Sequence, residues 1–342
     1  MKNPPFHERR RQQFLYEDLY VKTRNNQFLL IEGGHENKNV ATSTQSQSSI
    51  HQFLYLELFW IWMLDYTAGV SLDELAPRLA EIVDAFEKWN EVDQLFQQET
   101  ALEFPEYGPY EYMAAPSFSN LFEYENTLQL LSIAIMLRDR RSIMRMIHIF
   151  RAHRGQDGLF EQLIGGYVDD EIALDTCVLG EPYDTLLTLF YEKNKSTSLA
   201  LLKKYLKNWY PAMKDHPRWY DGHLRIKEEG YAPYYGYWAF EAGAAVFLLG
   251  LDDSNVDHLV YPADLVDYGR KLRRENRHTS LDTAPAAEVA RIEGGQRCPQ
   301  TGYWETPAKL SSRSYFAQGD RMPVFDDSAY GETIWHWSAE QE

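Results

Sequence analysis

Tyr231-Ala-Pro-Tyr-Tyr-Gly-Tyr-Trp-Ala-Phe-Glu-Ala-Gly-Ala-Ala-Val-Phe-Leu-Leu-Gly-Leu-Asp-Asp-Ser-Asn-Val-Asp-His-Leu-Val-Tyr-Pro-Ala-Asp-Leu-Val-Asp-Tyr-Gly-Arg270 is the stretch that decides the fold. Trp238, Ala242, Ala245 and Leu249 recur at helical spacing, and Phe240, Ala244, Phe247 and Leu248 widen the stripe. A helix apolar on nearly every side belongs inside a core. The small run Ala242 to Ala245 lets a neighbouring helix come close. Gly250 follows the last apolar turn and suits a C-cap. Leu251 and Tyr261 extend the same core, and Asp252, Asp253 and Ser254 offer caps for a following helix. Pro233 and Gly236 shape the entry turn. Glu241 is the one carboxylate in the apolar run, and an ion pair or hydrogen bond is expected to hold it.

Working outward, Phe6 to Ile31 suits a long first helix, and the polar run Gly33 to Ser49 suits a loop. Ile50 to Thr67 reads as a strongly apolar helix ending at Gly69. Ser71-Leu72-Asp73-Glu74 is a capping-box pattern opening another helix, with Leu75, Leu79, Ile82, Val83, Phe86 and Trp89 on its inner stripe. Pro77 predicts a kink or a later start. Phe104 to Pro116 is broken by prolines and glycine. Helices are then expected over Phe118 to Leu137, Arg141 to His153, Leu159 to Gly165, Tyr183 to Tyr191, and Ser196 to Trp209 with Ser196 as cap. Beyond Arg277 the chain turns to Gly, Pro and aromatics, as in Gly302-Tyr303-Trp304 and Trp335-His336-Trp337, which predicts short extended pieces. Trp304, Tyr315, Phe316, Trp335 and Trp337 are too much apolar surface to leave in water, so this extension is expected to be ordered and docked on the helical body.

The pattern Tyr234-Tyr235-Gly236-Tyr237-Trp238-Ala239-Phe240-Glu241-Ala242, then Leu251-Asp252-Asp253, then Tyr261-Pro262-Ala263-Asp264-Leu265-Val266, resembles the C-terminal domain of the PoNi-type immunity proteins. Tyr66 to Trp89 resembles the N-terminal domain of the same family, and the resemblance runs from about residue 50 to about residue 270. It is carried by core and turn residues, not by a catalytic motif. It implies a bacterial protein that neutralises a polymorphic toxin in interbacterial competition, with type VI secretion as the delivery route. Many such toxins are nucleases. The expected architecture is all-α: two packed helical subdomains, residues 1–140 (with a loop at 33–49) and 141–277, and an irregular, partly extended segment at 278–342.

At 342 residues, with 14% aromatics, the chain can bury a sizeable core. Its formal charge of −17 makes nucleic acid and anionic membrane poor partners and basic proteins good ones. Two cysteines, Cys177 and Cys298, imply no disulfide framework and suit a reducing compartment. Neither a secretory leader nor a membrane span is evident, so the cytoplasm is the expected location. Oligomeric state is not legible.

Motifs for chemistry are scarce. His216, Asp221 and His223 lack metal-ligand spacing and suit a polar loop. No phosphate-binding glycine loop and no nucleophile elbow occurs. Neither catalytic residues, nor a metal site, nor a cofactor is therefore expected. Charge is more informative. Lys and Arg are absent from Trp89 to Leu137 and from Gly155 to Glu192, while acids are plentiful in both. Asp169-Asp170-Glu171 with Asp175, flanked by turn-forming glycines, is expected to be exposed and to bind a basic partner. The segment Glu106-Tyr107-Gly108-Pro109-Tyr110-Glu111-Tyr112 is expected to help it. The binding reading competes with one enzymatic alternative, an α/α-toroid that cleaves glycans in a carboxylate-lined cavity.

Overall fold

The computed structural model describes residues 4–107, 115–170, 172–216, 218–282, 291–306, 308–309, 312–325 and 333–338. The deciding stretch forms helix α11, Phe240–Leu249, and every residue from Phe240 to Phe247 is buried. Gly250 ends it in the left-handed conformation at φ 62°. Trp238, Phe247 and Tyr261 are buried with it, and Leu251 packs half-buried against the same core. Gly236, at φ 111°, has no room for a side chain, because a Cβ there would sit 2.2 Å from Thr67 Oγ1. That close approach lets the Trp238 indole donate to the same Thr67 hydroxyl at 2.9 Å.

Around α11 the chain is helical: α1 Phe6–Arg9, α2 Glu17–Val40, α3 Thr44–Thr67, α4 Leu72–Leu75, α5 Leu79–Glu103, α6 Leu121–Leu137, α7 Arg140–Ile149, α8 Gly158–Ile164, α9 Tyr183–Tyr191, α10 Lys195–Ala212 and α12 Ala263–Asp282. The fold is all-α. A continuous apolar core runs through residues 6–266, and residues 1–273 form one compact unit. The small-residue face of α11 lies against α6, and Gly243 sits where a Cβ would meet Met136 and Pro262 at about 3 Å.

Several local expectations need correction. The loop expected at 33–49 is mostly helix, since α2 continues to Val40 and α3 begins at Thr44. Gly34 lets the two helices approach, for a Cβ there would lie 2.7 Å from a Leu54 methyl, and the short turn between them is capped by Ser43. The first helix divides in two, because Gln12 turns inward to bond Tyr237 and Tyr234 across the core. Asn194, not Ser196, caps α10. Asp252 and Asp253 do not open a helix. Asp252 closes a turn on Ser254, and Asp253 takes Tyr261 and Arg270. Ser71 caps α4 by accepting from Glu74 N, one half of the expected capping box, and Pro77 sits in a 3₁₀ turn that delays α5 to Leu79.

The second unit, from Arg274, carries an antiparallel sheet of β1 Arg291–Glu293, β2 Gly302–Glu305, β3 Ser314–Phe316 and β4 Ile334–Trp337 in the order β1-β4-β2-β3. Trp304 pairs with Trp337 across β2 and β4. Cys298, Trp304, Met322 and Trp335 make its own small core. Alternation puts Trp335 inside at 1% exposure, with His336 half-buried on the opposite side of the strand.

Candidate functional site: the acidic connection from α8 to α9

The connection from α8 to α9 folds back to the start of α8, where Asp157 caps that helix. Its carboxylate accepts from Phe160 N at 2.8 Å, from Val178 N at 2.9 Å and from Tyr124 Oη at 2.9 Å. Burial pushes the Asp157 carboxyl up, against the pull of those hydrogen bonds. Gly158 gives the returning chain its path: its N–H donates to Thr176 O at 2.9 Å, and a Cβ would lie 2.8 Å from that oxygen. Farther along, Asp184 accepts from Cys177 N at 2.7 Å, and Tyr191 Oη donates to Leu174 O at 2.7 Å. The return of the connection, Leu174 to Val178, is therefore pinned by ties to its backbone, although it is neither helix nor strand.

On this frame Asp169, Asp170 and Asp175 are exposed. Glu171 lies outside the described residues. The sequence finds no cation close by in the chain, but the fold supplies one. Arg154 donates to both oxygens of buried Glu161 at 3.0 Å and reaches Asp170 Oδ1 at 3.3 Å. The segment is thus partly neutralised by a guanidinium sixteen positions away, which the absence of Lys and Arg within Gly155 to Glu192 hides. Beside it opens a groove of about 260 Å³, walled by Val168, Ile172, Phe190 and Tyr191, with Glu161 and Asp170 at its polar side. The slot has apolar walls and a polar side whose two carboxylates already hold Arg154, the kind of side chain, apolar in its stem and charged at its tip, that such a slot fits.

The companion segment is only partly described. Pro105, Glu106 and Tyr107 form a 3₁₀ turn with Glu106 exposed, while Tyr110, Glu111 and Tyr112 lie outside the described residues. Several acids of that block face inward. Asp93 accepts from Ser48 Oγ at 2.6 Å and Ala115 N at 2.7 Å, and Glu123 accepts from Ser117 N at 2.7 Å. Glu125 is buried 3.4 Å from His216 Nε2. Counting carboxylates along the chain therefore overstates the charge offered to a partner.

His216, Asp221 and His223 are not the polar loop expected of them. His216 is buried with its ring 4.6 Å from that of Trp219, Asp221 accepts from Tyr210 Oη at 2.7 Å, and His223 Nδ1 lies 2.6 Å from Tyr237 Oη. Among the described residues no three His, Cys, Asp or Glu gather as metal ligands. The buried glutamates Glu125 and Glu241 are 2% and 1% exposed, out of reach of a glycan chain. Among the described residues no helix is long and apolar enough to cross a membrane. Sequence reasoning missed Asp65, which gathers Tyr20, Arg24 and Arg78. Its signal was a carboxylate at the end of the most apolar run.

Residues 155–265 match the family model described as PoNe immunity proteins (PoNi), C-terminal. The matched span contains the whole acidic connection and α11. A crystal structure of the protein PA2201 from Pseudomonas aeruginosa is similar, with a TM-score of 0.58 and 18% identity, covering 77% of this chain and 92% of that one. At that identity the likeness speaks to the fold. No curated protein matches the sequence.

Proposed function

We propose, from the premise that residues 155–265 are a C-terminal domain of the PoNe-immunity type, that this chain is an immunity protein that binds and blocks a toxin. The observation that carries the reading is that the family match encloses the exposed acidic connection and its groove. The toxin best suited to it is a nuclease. A nuclease presents a basic cleft to its substrate, and a surface with a net charge of −17 behind it attracts such a cleft and speeds encounter. Such a toxin meets its substrate in the cytoplasm, so the inhibitor acts there and needs neither cofactor nor metal. Asp169, Asp170 and Asp175 supply charge, the groove takes a basic side chain, and the turn at Glu106 adds a second acidic contact.

The test uses the product of the adjacent open reading frame, inactivated by substitution, as the toxin. Asp169→Lys with Asp175→Lys should slow association by about an order of magnitude at low salt and flatten its salt dependence. The melting temperature should hardly move, because both side chains are exposed. Protection of cells expressing the active toxin should fall in parallel. A variant that associates and protects like the wild type would remove the acidic connection from the interface.

A further inference from the structure

The end of α5 is an unusual piece of surface. Its last buried residue is Asp93, so residues 94–103 run on for about 15 Å without a buried side chain. Polar bonds tie this end to α3: Thr44 donates to Glu99 and Ser48 to Asp93. Leu95 and Leu102, two turns apart on one face, are left 53% and 85% exposed. Exposed Glu99, Glu103 and Glu106 accompany them, and no Lys or Arg occurs from Trp89 to Tyr107. A helix C-terminus carries partial negative charge and is ordinarily complemented by cations. Here the last turn holds Glu103 and no base. Among the described residues no ion pair offsets Glu99, Glu103 or Glu106, and a cationic partner would supply one.

We propose that Leu95–Phe104 is a docking face for a basic amphipathic helix of a protein partner. Leu95 and Leu102 seat the partner's apolar residues. Glu99, Glu103 and Glu106 take its Lys or Arg. Charge complementarity selects this occupant: a second copy of this acidic chain would bring Glu against Glu, and a membrane of anionic lipid would be repelled. The inference rests on the reading above, for which it extends the contact at Glu106 along α5 into a second point of grip on the toxin.

Two variants test it against the same inactivated toxin. Leu95→Gln with Leu102→Gln keeps helix propensity and removes the apolar seats. It should weaken binding by about tenfold or more with the melting temperature unchanged. Glu103→Lys should weaken binding and flatten its salt dependence, yet raise the melting temperature, because it complements the helix terminus. Those opposite signs are not what a merely structural residue gives. If both variants bind like the wild type while Asp169→Lys with Asp175→Lys still weakens binding, the α5 face is not a contact and the immunity reading stands. If the wild type captures no toxin, both fall. A wild-type dimer in size-exclusion that the double Gln variant abolishes would assign the face to a second copy and overturn the proposal.

Discussion

Asp65→Ala is expected to destabilise the helical body by about 3–5 kcal/mol, the range for removing one partner of a buried ion pair. The Asp65 side chain is 2% exposed and takes three donors from two other parts of the chain. Tyr20 Oη and Arg24 Nε, both on α2, reach Oδ1 at 2.9 and 2.8 Å, and Arg78, in the turn after α4, reaches Oδ2 at 2.7 Å. Burial and the neighbouring carboxylate push the Tyr20 hydroxyl up to about 12, so it stays a donor throughout the physiological range. Deleting the carboxylate strands two guanidiniums at once and unties α2 from α3 and from the turn that starts α5. Their side chains are 34% and 31% exposed, so water recovers part of the loss, which favours the lower end of the range. Asp65→Asn keeps the shape and an acceptor and should cost less. Urea midpoints with an unchanged m-value measure both. A cost below about 1 kcal/mol for the alanine variant would show that the clamp is dispensable.

The contrast between Asp65 and Glu241 shows what the sequence could tell. Helices were legible where apolar spacing and punctuation agreed, as at Gly250, Ser71 and Tyr183–Tyr191. They were misread where a polar run hides a packing contact. Gly33 to Ser49 looks like a loop because nothing in composition says that Gly34 must lie against Leu54. Acids were legible as a patch but not as partners. Asp170 looks free because its cation, Arg154, sits across a turn, and Asp93 looks exposed because the backbone it holds at Ala115 belongs to another segment. Both failures have one cause: hydrogen bonds and close approaches join residues far apart in the chain, and periodicity reports only near neighbours. Glu241 was conspicuous as a lone carboxylate in an apolar helix, and a partner could be foreseen. Which residue would supply it could not, since Tyr205 lies on α10.

Glu241→Gln should stabilise the protein at pH 8 relative to pH 5. Glu241 is 1% exposed and accepts from Tyr205 Oη at 2.6 Å. Burial, opposed by that hydrogen bond and reinforced by the charge of Glu125, pushes its carboxyl up to about 7 from 4.5. The sign follows from linkage. A carboxyl whose folded value lies above its unfolded value favours the folded state fully at low pH, below 4.5. Above that the unfolded chain releases its proton first, and the contribution is gone once pH has risen through about 7. The loss is on the order of 2–4 kcal/mol across this window. Glu57, 3% exposed, is likewise pushed up to about 7 by burial, so the wild type carries two such losses. Glutamine keeps an acceptor for Tyr205 and cannot ionise. The stability of Glu241→Gln minus that of the wild type should therefore increase by on the order of 2–4 kcal/mol between pH 5 and pH 8. Glu57→Gln should act in the same direction, and the double variant should lose both contributions to the pH slope. Denaturant titrations at both pH values decide it. A pH-independent difference would mean that Glu241 is ionised in the folded core at pH 5, held there by a cation or water that Tyr205 alone cannot replace.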